Sequence, residues 1–239
     1  MDRRFTIERL AADYHRAMNF RRARSEEQRE IRRQAILETA SSMLSDMPVS
    51  QISLNELSRR TGLAKSAMIR YFESREAVLL ELLDGALRDW VTEIVTELSR
   101  DTHSGSAEER ADRLAALLSR SLRQRAVLCD LMTSQPGVLE YNVSPETLLC
   151  FRRSAHTTIA RYTDAIRSFI PELGDDSQSV SLSTVVTSAA LWMYAQPSAS
   201  AIAACKAEPE LTEIHLNFDT DLETMLSRLI IGALVKRTS

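Results

Sequence analysis

The segment that decides the fold is residues 52–76, which read ISLNELSRRTGLAKSAMIRYFESRE. Ser53 and Glu56 have the Ser-x-x-Glu spacing of a capping box, so a helix is expected to begin at the residue after Ser53. Gly62 can adopt the left-handed conformation that closes a helix, and a second helix is then expected from Ala64 to Phe72. Two short helices joined by a tight glycine turn form a helix-turn-helix.

The second of these helices has two distinct faces. Met68 and Phe72 lie four positions apart, which predicts a shared buried face. Short and basic residues lie on or near the outward side, where short side chains would allow close approach to a DNA major groove and basic groups would meet phosphates. Two helices packed inside an ordinary bundle would show the same short pattern, so the motif alone leaves both interpretations open.

Residues from about Gln28 to Leu83 closely resemble the N-terminal DNA-binding domain of the TetR family of transcriptional regulators. The resemblance is carried by four segments, Ile36–Ala40, Ser53–Ser58, Gly62–Phe72 and Ser74–Leu79. It implies an all-α protein that binds double-stranded DNA. Taken with the surface pattern, it gives these candidate DNA contacts: Ser53, Ala64, Lys65, Ser66, Ala67, Arg70, Tyr71 and Arg75.

The chain departs from the family's pattern at three positions of the second helix. Ala64 stands where the family usually has Ser or Thr, and Ile69 stands where it most often has a phosphate-contacting Tyr. Ala67 replaces a Thr, so it can meet a thymine methyl group but cannot donate a hydrogen bond to phosphate. We interpret this as a shifted set of contacts.

The charge is divided unevenly along the chain. The whole chain has 30 Lys and Arg against 33 Asp and Glu, a net charge of −3. Residues 1–75 hold 15 basic and 10 acidic residues, a net +5, whereas residues 76–239 hold 15 and 23, a net −8. A basic N-terminal part joined to an acidic body is typical of a protein in which only the first part faces phosphate, although solubility alone can produce such an imbalance.

Residues 1–25 form a basic extension that contains seven arginines. Such an extension can lie along DNA next to a helix-turn-helix, or it can be a disordered tail. Polar and charged residues interrupt every apolar run, so no secretory signal is expected. Met18 is an alternative to Met1 as the start of the chain.

Composition predicts an all-α fold of about nine helices. The chain has only six Gly and six Pro in 239 residues and lacks alternating apolar and polar runs of useful length. We expect a three-helix DNA-binding domain at residues 26–74 and a helical regulatory and dimerisation domain at residues 75–239. No apolar run approaches roughly 18 residues, so no membrane contact and a cytoplasmic location are expected. The three cysteines are far apart and odd in number, as in a protein without a disulfide framework.

Capping residues, prolines and glycines divide residues 75–239, the body, into helices. The predicted helices are Arg75–Arg100, one that begins after a Ser106 and Glu109 capping box, Ala126–Thr133, one from the Ser144-Pro145 start to about Ile170, Ser177–Gln196 and Pro209–Lys236. A turn is expected at Gln135-Pro136-Gly137. Pro171 and Gly174 should end the longest helix of the second half.

The last predicted helix has a broad apolar stripe, and the family resemblance implies a homodimer held together by the last two helices. The candidate interface residues are Leu211, Ile214, Phe218, Leu222, Met225, Leu226, Leu229 and Ile230. The same stripe could instead belong to the core of a single chain.

Aromatic and polar residues are interleaved in the central helices, and the resemblance implies a small-molecule effector bound there. The candidate ligand-binding residues are Cys129, Met132, Phe151, His156, Tyr162, Trp192 and Tyr194. Residues of these types at helical spacing also occur as plain core.

No catalytic motif is found in the sequence, so no enzyme activity is predicted. The four histidines lack metal-ligand spacing, and a Gly-rich phosphate loop is absent, so neither a metal nor a cofactor is expected. The family resemblance implies a dimeric repressor that an effector releases from a palindromic operator. The alternative is a dimeric helical adaptor whose basic part contacts an acidic protein in place of DNA.

Overall fold

The computed structural model describes residues 26–208, 210 and 216–237. The expectations for residues 1–25, Pro209, Leu211 and Ile214 therefore lie outside the described residues. The described part contains ten α-helices and no strand. The prediction of an all-α fold is confirmed, with one helix more than the nine expected.

The helices follow one another with short connections. Their bounds are α1 at residues 26–46, α2 Leu54–Thr61, α3 Lys65–Met68, α4 Arg75–Arg100, α5 Ala107–Arg123, α6 Ala126–Ser134, α7 Pro145–Phe169, α8 Asp176–Tyr194, α9 Ala199–Ala207 and α10 Phe218–Arg237. Val49–Gln51 and Pro171–Leu173 are single 3₁₀ turns, and Gln135–Leu139 is a π-helical turn.

Helices α1 to α3 form the N-terminal head around a small core. Ile36 and Met43 from α1, Leu57 from α2 and Met68 from α3 are completely buried in it. Gly62 ends α2 with φ 67°, the left-handed conformation that the sequence predicts. The turn at Gly62 sends the chain directly into α3.

The capping box predicted at α2 is only half formed. The Ser53 hydroxyl accepts a hydrogen bond from the Glu56 amide, 3.2 Å. The Glu56 carboxylate instead accepts from Arg59 and Arg60 on the next turn of α2. The box predicted at α5 is complete, because there Ser106 and Glu109 each bind the other's backbone amide.

The second helix of the motif is shorter than predicted. Its α-helical part ends at Met68, not at Phe72, and the chain continues in turns. The amides of Arg70 and Tyr71 bond to carbonyls three residues back, so the last turn tightens to a 3₁₀ pattern. Burial of Phe72 at the end of this turn fixes its path.

The body is a bundle built on α4. This helix begins in the head, where Val78 and Leu79 are buried, and runs through the body to Leu98. Its main partner is α7, and the rings of Trp90 and Tyr162 lie 5.2 Å apart between the two helices. Helix α10 packs against α5 and α8, so it closes the other side of the bundle. The head and the body thus share one continuous helix.

Three parts of the predicted helix pattern were wrong. Helix α9 was missed, and the last helix begins at Phe218 instead of Pro209. The predicted turn at Gln135-Pro136-Gly137 is a π-helical turn that continues α6. The start of α9 carries a local signal, because the Ser198 hydroxyl accepts from the Ala201 amide after Pro197.

None of the described helices is both long enough and apolar enough to cross a membrane.

Two glycine substitutions with opposite effects test the Gly62 turn. Gly62→Ala should lower the free energy of unfolding by about 1 kcal/mol, because a Cβ at φ 67° is strained although no other atom lies within 4 Å. The control is Gly85→Ala in the middle of α4, where a Cβ also meets nothing within 4 Å and φ is helical. It should raise the free energy of unfolding by roughly 0.5–1 kcal/mol. Urea unfolding measures both, and a neutral Gly62→Ala would contradict the strained turn.

Candidate nucleic-acid interface

Helix α3 presents the predicted contact residues to solvent. Ala64, Lys65, Ser66 and Arg70 are exposed, and Ala67 is half-buried. Met68 and Phe72 are buried on the opposite side, as predicted. The helix-turn-helix therefore projects a surface of short and basic side chains.

Ile69 extends the same surface with an apolar group. Its side chain is 52% exposed, just after the α-helical part of α3. This is the position at which the sequence departs from the family's tyrosine. An exposed aliphatic group there can contact a thymine methyl but offers no hydrogen bond to phosphate.

Two arginines from α1 hold the end of residues 65–72, which we call the recognition segment. Arg29 donates to the Arg70 carbonyl, 3.1 Å, and Arg33 donates to the Tyr71 carbonyl, 2.9 Å. Arg33 also pairs with Glu81 of α4, and its guanidinium lies 4.3 Å from the centre of the Phe72 ring. The carbonyls left free at this helix end are thus satisfied by side chains. The position of α3 depends on α1 as well as on the Gly62 turn.

A basic cleft lies beside α3. It has a volume of about 400 Å³ and is lined by Gln28, Arg29, Arg32, Arg70 and Tyr71. We call these residues the basic cleft. Arg29 and Arg32 were missed by the sequence analysis, although with Arg33 they recur at helical spacing on α1. That spacing was the available signal.

Two of the predicted DNA contacts have structural duties. Ser53 is the N-cap of α2. Arg75 donates to the Ile52 carbonyl, 2.7 Å, and pairs with the buried carboxylate of Glu76, 2.7 Å. Its guanidinium connects the head to the start of α4. These bonds within the protein argue against the phosphate contact that the sequence predicted.

A carboxylate in the first turn of α2, Glu56, pairs with the two arginines of its last turn. Hydrogen bonds from Arg59, and then from Arg60, lower the pKa of Glu56 from 4.5 to about 2. Glu56 therefore stays ionised at neutral pH. It neutralises part of the positive charge of Arg59 and Arg60, whereas Arg32 of the basic cleft has no carboxylate paired with it among the described residues.

The seven predicted ligand-binding residues do not line one cavity. Only Phe151 and His156 line the same groove, which has a volume of about 580 Å³ and lies beside α7. Cys129, Met132 and Tyr162 are buried in the core. Burial raises the pKa of the Cys129 thiol to about 12. Cys129 is therefore a neutral side chain that packs in the core of the bundle.

The other two predicted ligand residues lie near the end of α8. The Trp192 indole donates to Asp130, 2.6 Å, and its ring packs on Phe218. Tyr194 is exposed. The sequence analysis grouped these residues by type, without knowing which side of each helix faces the core.

The groove beside α7 combines apolar and charged walls. Phe151, Ile159 and Leu182 give its apolar surface, while Arg152, Arg167, Glu140 and Asp164 lie on its walls. Arg152 pairs with Glu140, 2.8 Å, and Arg167 pairs with Asp164, 3.2 Å. The groove is large enough for a small organic molecule.

The predicted dimer residues on α10 mostly face inward. Phe218, Leu222, Leu226 and Ile230 are buried in the chain's own core, so these four predicted interface residues do not form an exposed surface. Met225 and Leu229 are half-buried beside them. The physical reason is that α10 must cover both α5 and α8, which uses its broad apolar stripe.

The exposed apolar stripe lies on α8 instead. Leu182, Val186 and Met193 recur at spacings of four and seven on its outward side, and all three are exposed. We call them the α8 stripe. It was missed because the inward side of α8 is unusually polar, with Ser181, Thr184 and Ser188 buried.

Two family profiles match most of the chain. The profile "Bacterial regulatory proteins, tetR family" matches residues 36–82. The profile "Tetracyclin repressor-like, C-terminal domain" matches residues 84–237, which is more than half of the chain. The chain belongs to the TetR family. It is a TetR-family transcriptional regulator, and the predicted family membership is confirmed.

The chain is also similar to individual proteins. The chain is 39% identical over 70 residues to the HTH-type transcriptional regulator EthR of Mycobacterium tuberculosis, and equally so to EthR of Mycobacterium bovis. That match spans 28% of this chain and only 32% of each EthR. A TetR transcriptional regulator from Rhodococcus sp. RHA1 has a similar fold, with a TM-score of 0.51 and 13% identity over 88% of this chain and 98% of that chain.

The pKa of Glu56 predicts a pH effect on the TetR-type head. Because its folded-state pKa is depressed, ionised Glu56 stabilises the fold above pH 4.5, and this contribution is lost as the pH falls toward about 2. Glu56→Gln should therefore lower the Tm near neutral pH, and its difference from the wild type should shrink below pH 4.5. Glu30→Gln, an exposed carboxylate of α1, controls for the loss of one charge. A Tm difference that persists at about pH 2 would contradict the assignment.

Proposed function

We propose that this TetR-family regulator is a dimeric repressor that binds a palindromic operator and is released by a small-molecule effector. The observation that carries the proposal is the exposure of Lys65, Ser66 and Arg70 on a helix whose opposite side is locked into the head's core. A surface of this kind fits the DNA major groove.

We assign different roles to the residues of the head. Ser66 and Ala67 are short enough for α3 to approach base edges, so they set sequence preference together with Ile69. Lys65 and the arginines of the basic cleft contact phosphates. These contacts fix the position of the protein along the duplex. The net charge of +5 in residues 1–75 supports this division.

Dimerisation through the α8 stripe would place two heads on one duplex. Leu182, Val186 and Met193 are exposed on one side of a helix, as expected for a contact between identical copies. Two recognition helices must then lie about 34–36 Å apart, or a multiple of that distance, to reach successive major grooves. A symmetric dimer requires an approximately palindromic operator.

Effector release requires a connection between the body and the head, and the chain offers one. Gln135 and Glu140 close one end of the groove beside α7 and bond to each other, 3.0 Å. Four residues after Glu140, the Ser144 amide donates to Glu73, 2.7 Å, which lowers the pKa of Glu73. A molecule that displaces Glu140 would move the segment from Glu140 to Ser144, and Ser144 holds Glu73 just before the start of α4.

The coupling between effector and operator must be reciprocal. Moving the dimer from almost fully competent to almost fully released would take roughly a 10⁴-fold preference of the effector for the released state, or about 5.5 kcal/mol. Helix α4 can transmit a movement of the body to the head, since it begins in the head and ends in the body.

The salt dependence of DNA binding tests the proposed function. Wild-type protein should bind duplex DNA with an affinity that falls steeply with salt. Lys65→Ala and Arg32→Ala should weaken binding to every sequence and reduce the log–log salt slope by about 1 each, since each removes one phosphate contact. Arg153→Ala, exposed on α7, is the matched control and should change neither quantity. A protein without salt-dependent binding would be an adaptor, and the proposal would fail.

A charge in the α8 stripe tests the dimer. Val186 is 68% exposed, so Val186→Asp should leave the fold intact while it disrupts an apolar contact between copies. We expect a monomer in light scattering and at least a tenfold loss of operator affinity, or about 1.4 kcal/mol. Thr92→Asp, exposed on α4, is the control for the added charge. A Val186→Asp protein that is still dimeric would place the interface elsewhere.

A further inference from the structure

Helix α7 is basic, although the body to which it belongs is acidic. Residues 76–239 carry a net charge of −8, whereas α7 holds four arginines and one histidine against one Asp and one Glu. His156 and two of these arginines, Arg152 and Arg167, line the groove beside α7. Positive charge around a cleft raises the local concentration of anions. The groove therefore favours an anionic ligand over a cationic one.

The groove is long and has an apolar middle. Arg152 and Arg167 are fifteen positions apart on one helix, so they lie about 22 Å apart along its axis. The wall between them is formed largely by Phe151 and Ile159 of α7 and by Leu182 of α8. A volume of about 580 Å³ spread over this length suits an extended chain better than a compact ring system.

Arg152 is the more accessible of the two arginines. Its side chain is 62% exposed, and its carboxylate partner is Glu140, 2.8 Å away. Arg167 is less exposed, and besides its pair with Asp164 it donates to the Gly174 carbonyl, 3.3 Å. An ion pair with so exposed an arginine contributes little to stability. A second carboxylate can therefore replace Glu140 at Arg152 with little loss.

We propose that the groove binds an elongated amphiphile with one carboxylate, which takes Arg152 from Glu140 while its apolar chain lies along Phe151 and Ile159. The inference rests on the proposed function, because it names the class of the effector. A carboxylate fits the position because Glu140 already places one there, and a neutral molecule would compete poorly for a guanidinium. A cation would be repelled by Arg152 and would leave its pair with Glu140 intact.

The exchange at Arg152 would supply the movement of Glu140 that the proposed release requires. Once Arg152 binds the ligand, Glu140 keeps the hydrogen bond from the Gln135 amide, 3.0 Å, but loses its ion pair. The chain of the ligand would also reach Leu182, which belongs both to the groove and to the α8 stripe. In the proposed dimer, a second copy would therefore border the bound chain.

Isothermal titration calorimetry of the full-length protein, without DNA, tests the class of ligand. The probes are decanoate, butanoate and decan-1-ol, which share either the carboxylate or the chain. Decanoate should bind roughly tenfold or more tightly than butanoate, because its chain buries more apolar surface. It should also bind roughly tenfold or more tightly than decan-1-ol, because the alcohol cannot pair with Arg152. No binding of decanoate, or equal binding of decan-1-ol, overturns the inference.

Three substitutions locate the carboxylate. Arg152→Gln should weaken decanoate binding roughly tenfold and change decan-1-ol binding less than about twofold. Arg153→Gln removes the same charge from an exposed neighbour outside the groove lining, so it should change both less than about twofold. Glu140→Gln should strengthen decanoate binding severalfold, because the competing carboxylate is gone. Equal losses in the two arginine variants would contradict the contact with Arg152. Circular dichroism checks that all three variants fold.

DNA affinity separates this inference from the proposed function. It is measured with and without decanoate on a duplex selected from a random library. Decanoate that binds through Arg152 and weakens DNA binding supports both. Decanoate that binds through Arg152 without changing DNA affinity retains the ligand class and removes release through this groove. If decanoate does not bind, the inference fails, and the proposed function stands with an effector of another class.

Discussion

The burial of Met68 and Phe72 is the constraint that fixes which side of α3 is exposed. These two side chains anchor the recognition segment in the core of the head, so Lys65, Ser66 and Arg70 must face outward. The anchor is reinforced from α1, because Arg33 lies over the Phe72 ring, holds the Tyr71 carbonyl and pairs with Glu81 of α4. A single arginine thus joins α1 and α4 to the end of the recognition segment. In the proposed function, this side chain is a direct route by which a displacement of α4 would reach that segment.

Two polar contacts join the start of α4 to the body. The Ser144 amide binds Glu73, and the buried Glu76 carboxylate lies between Arg75 and Asn142. Hydrogen bonds to a carboxylate are roughly twice as strong as bonds between neutral groups, so they hold the start of α4 against the body. The residues from Glu140 to Ser144 connect this joint to the groove beside α7. The five residues from Glu140 to Ser144 therefore connect the groove to the head, and in the proposed function they form the path between effector and DNA.

Local signals in the sequence predicted helix ends well, and surfaces poorly. The predicted helix from about Arg75 to Arg100 agrees with the structure, in which the Ser74 hydroxyl caps its first turn. The capping box at Ser106 was equally reliable. The faces of α10 could not be predicted, since whether Leu226 and Ile230 meet the core or a partner depends on where α5 and α8 lie. The same limit applies to His156 and Tyr162, which point to different sides of α7. The basic cleft was missed because its residues come from α1 and the end of the recognition segment, which are far apart in sequence.

Selection of bound duplexes from a random DNA library tests the central claim most directly. A dimer that reads DNA with two copies of α3 should enrich an inverted repeat whose half-sites lie about one helical turn apart or a multiple of it. Enrichment of such a repeat is the result that this account predicts. A library that remains random, or that yields one motif without a repeat, would contradict a symmetric reading surface on α3.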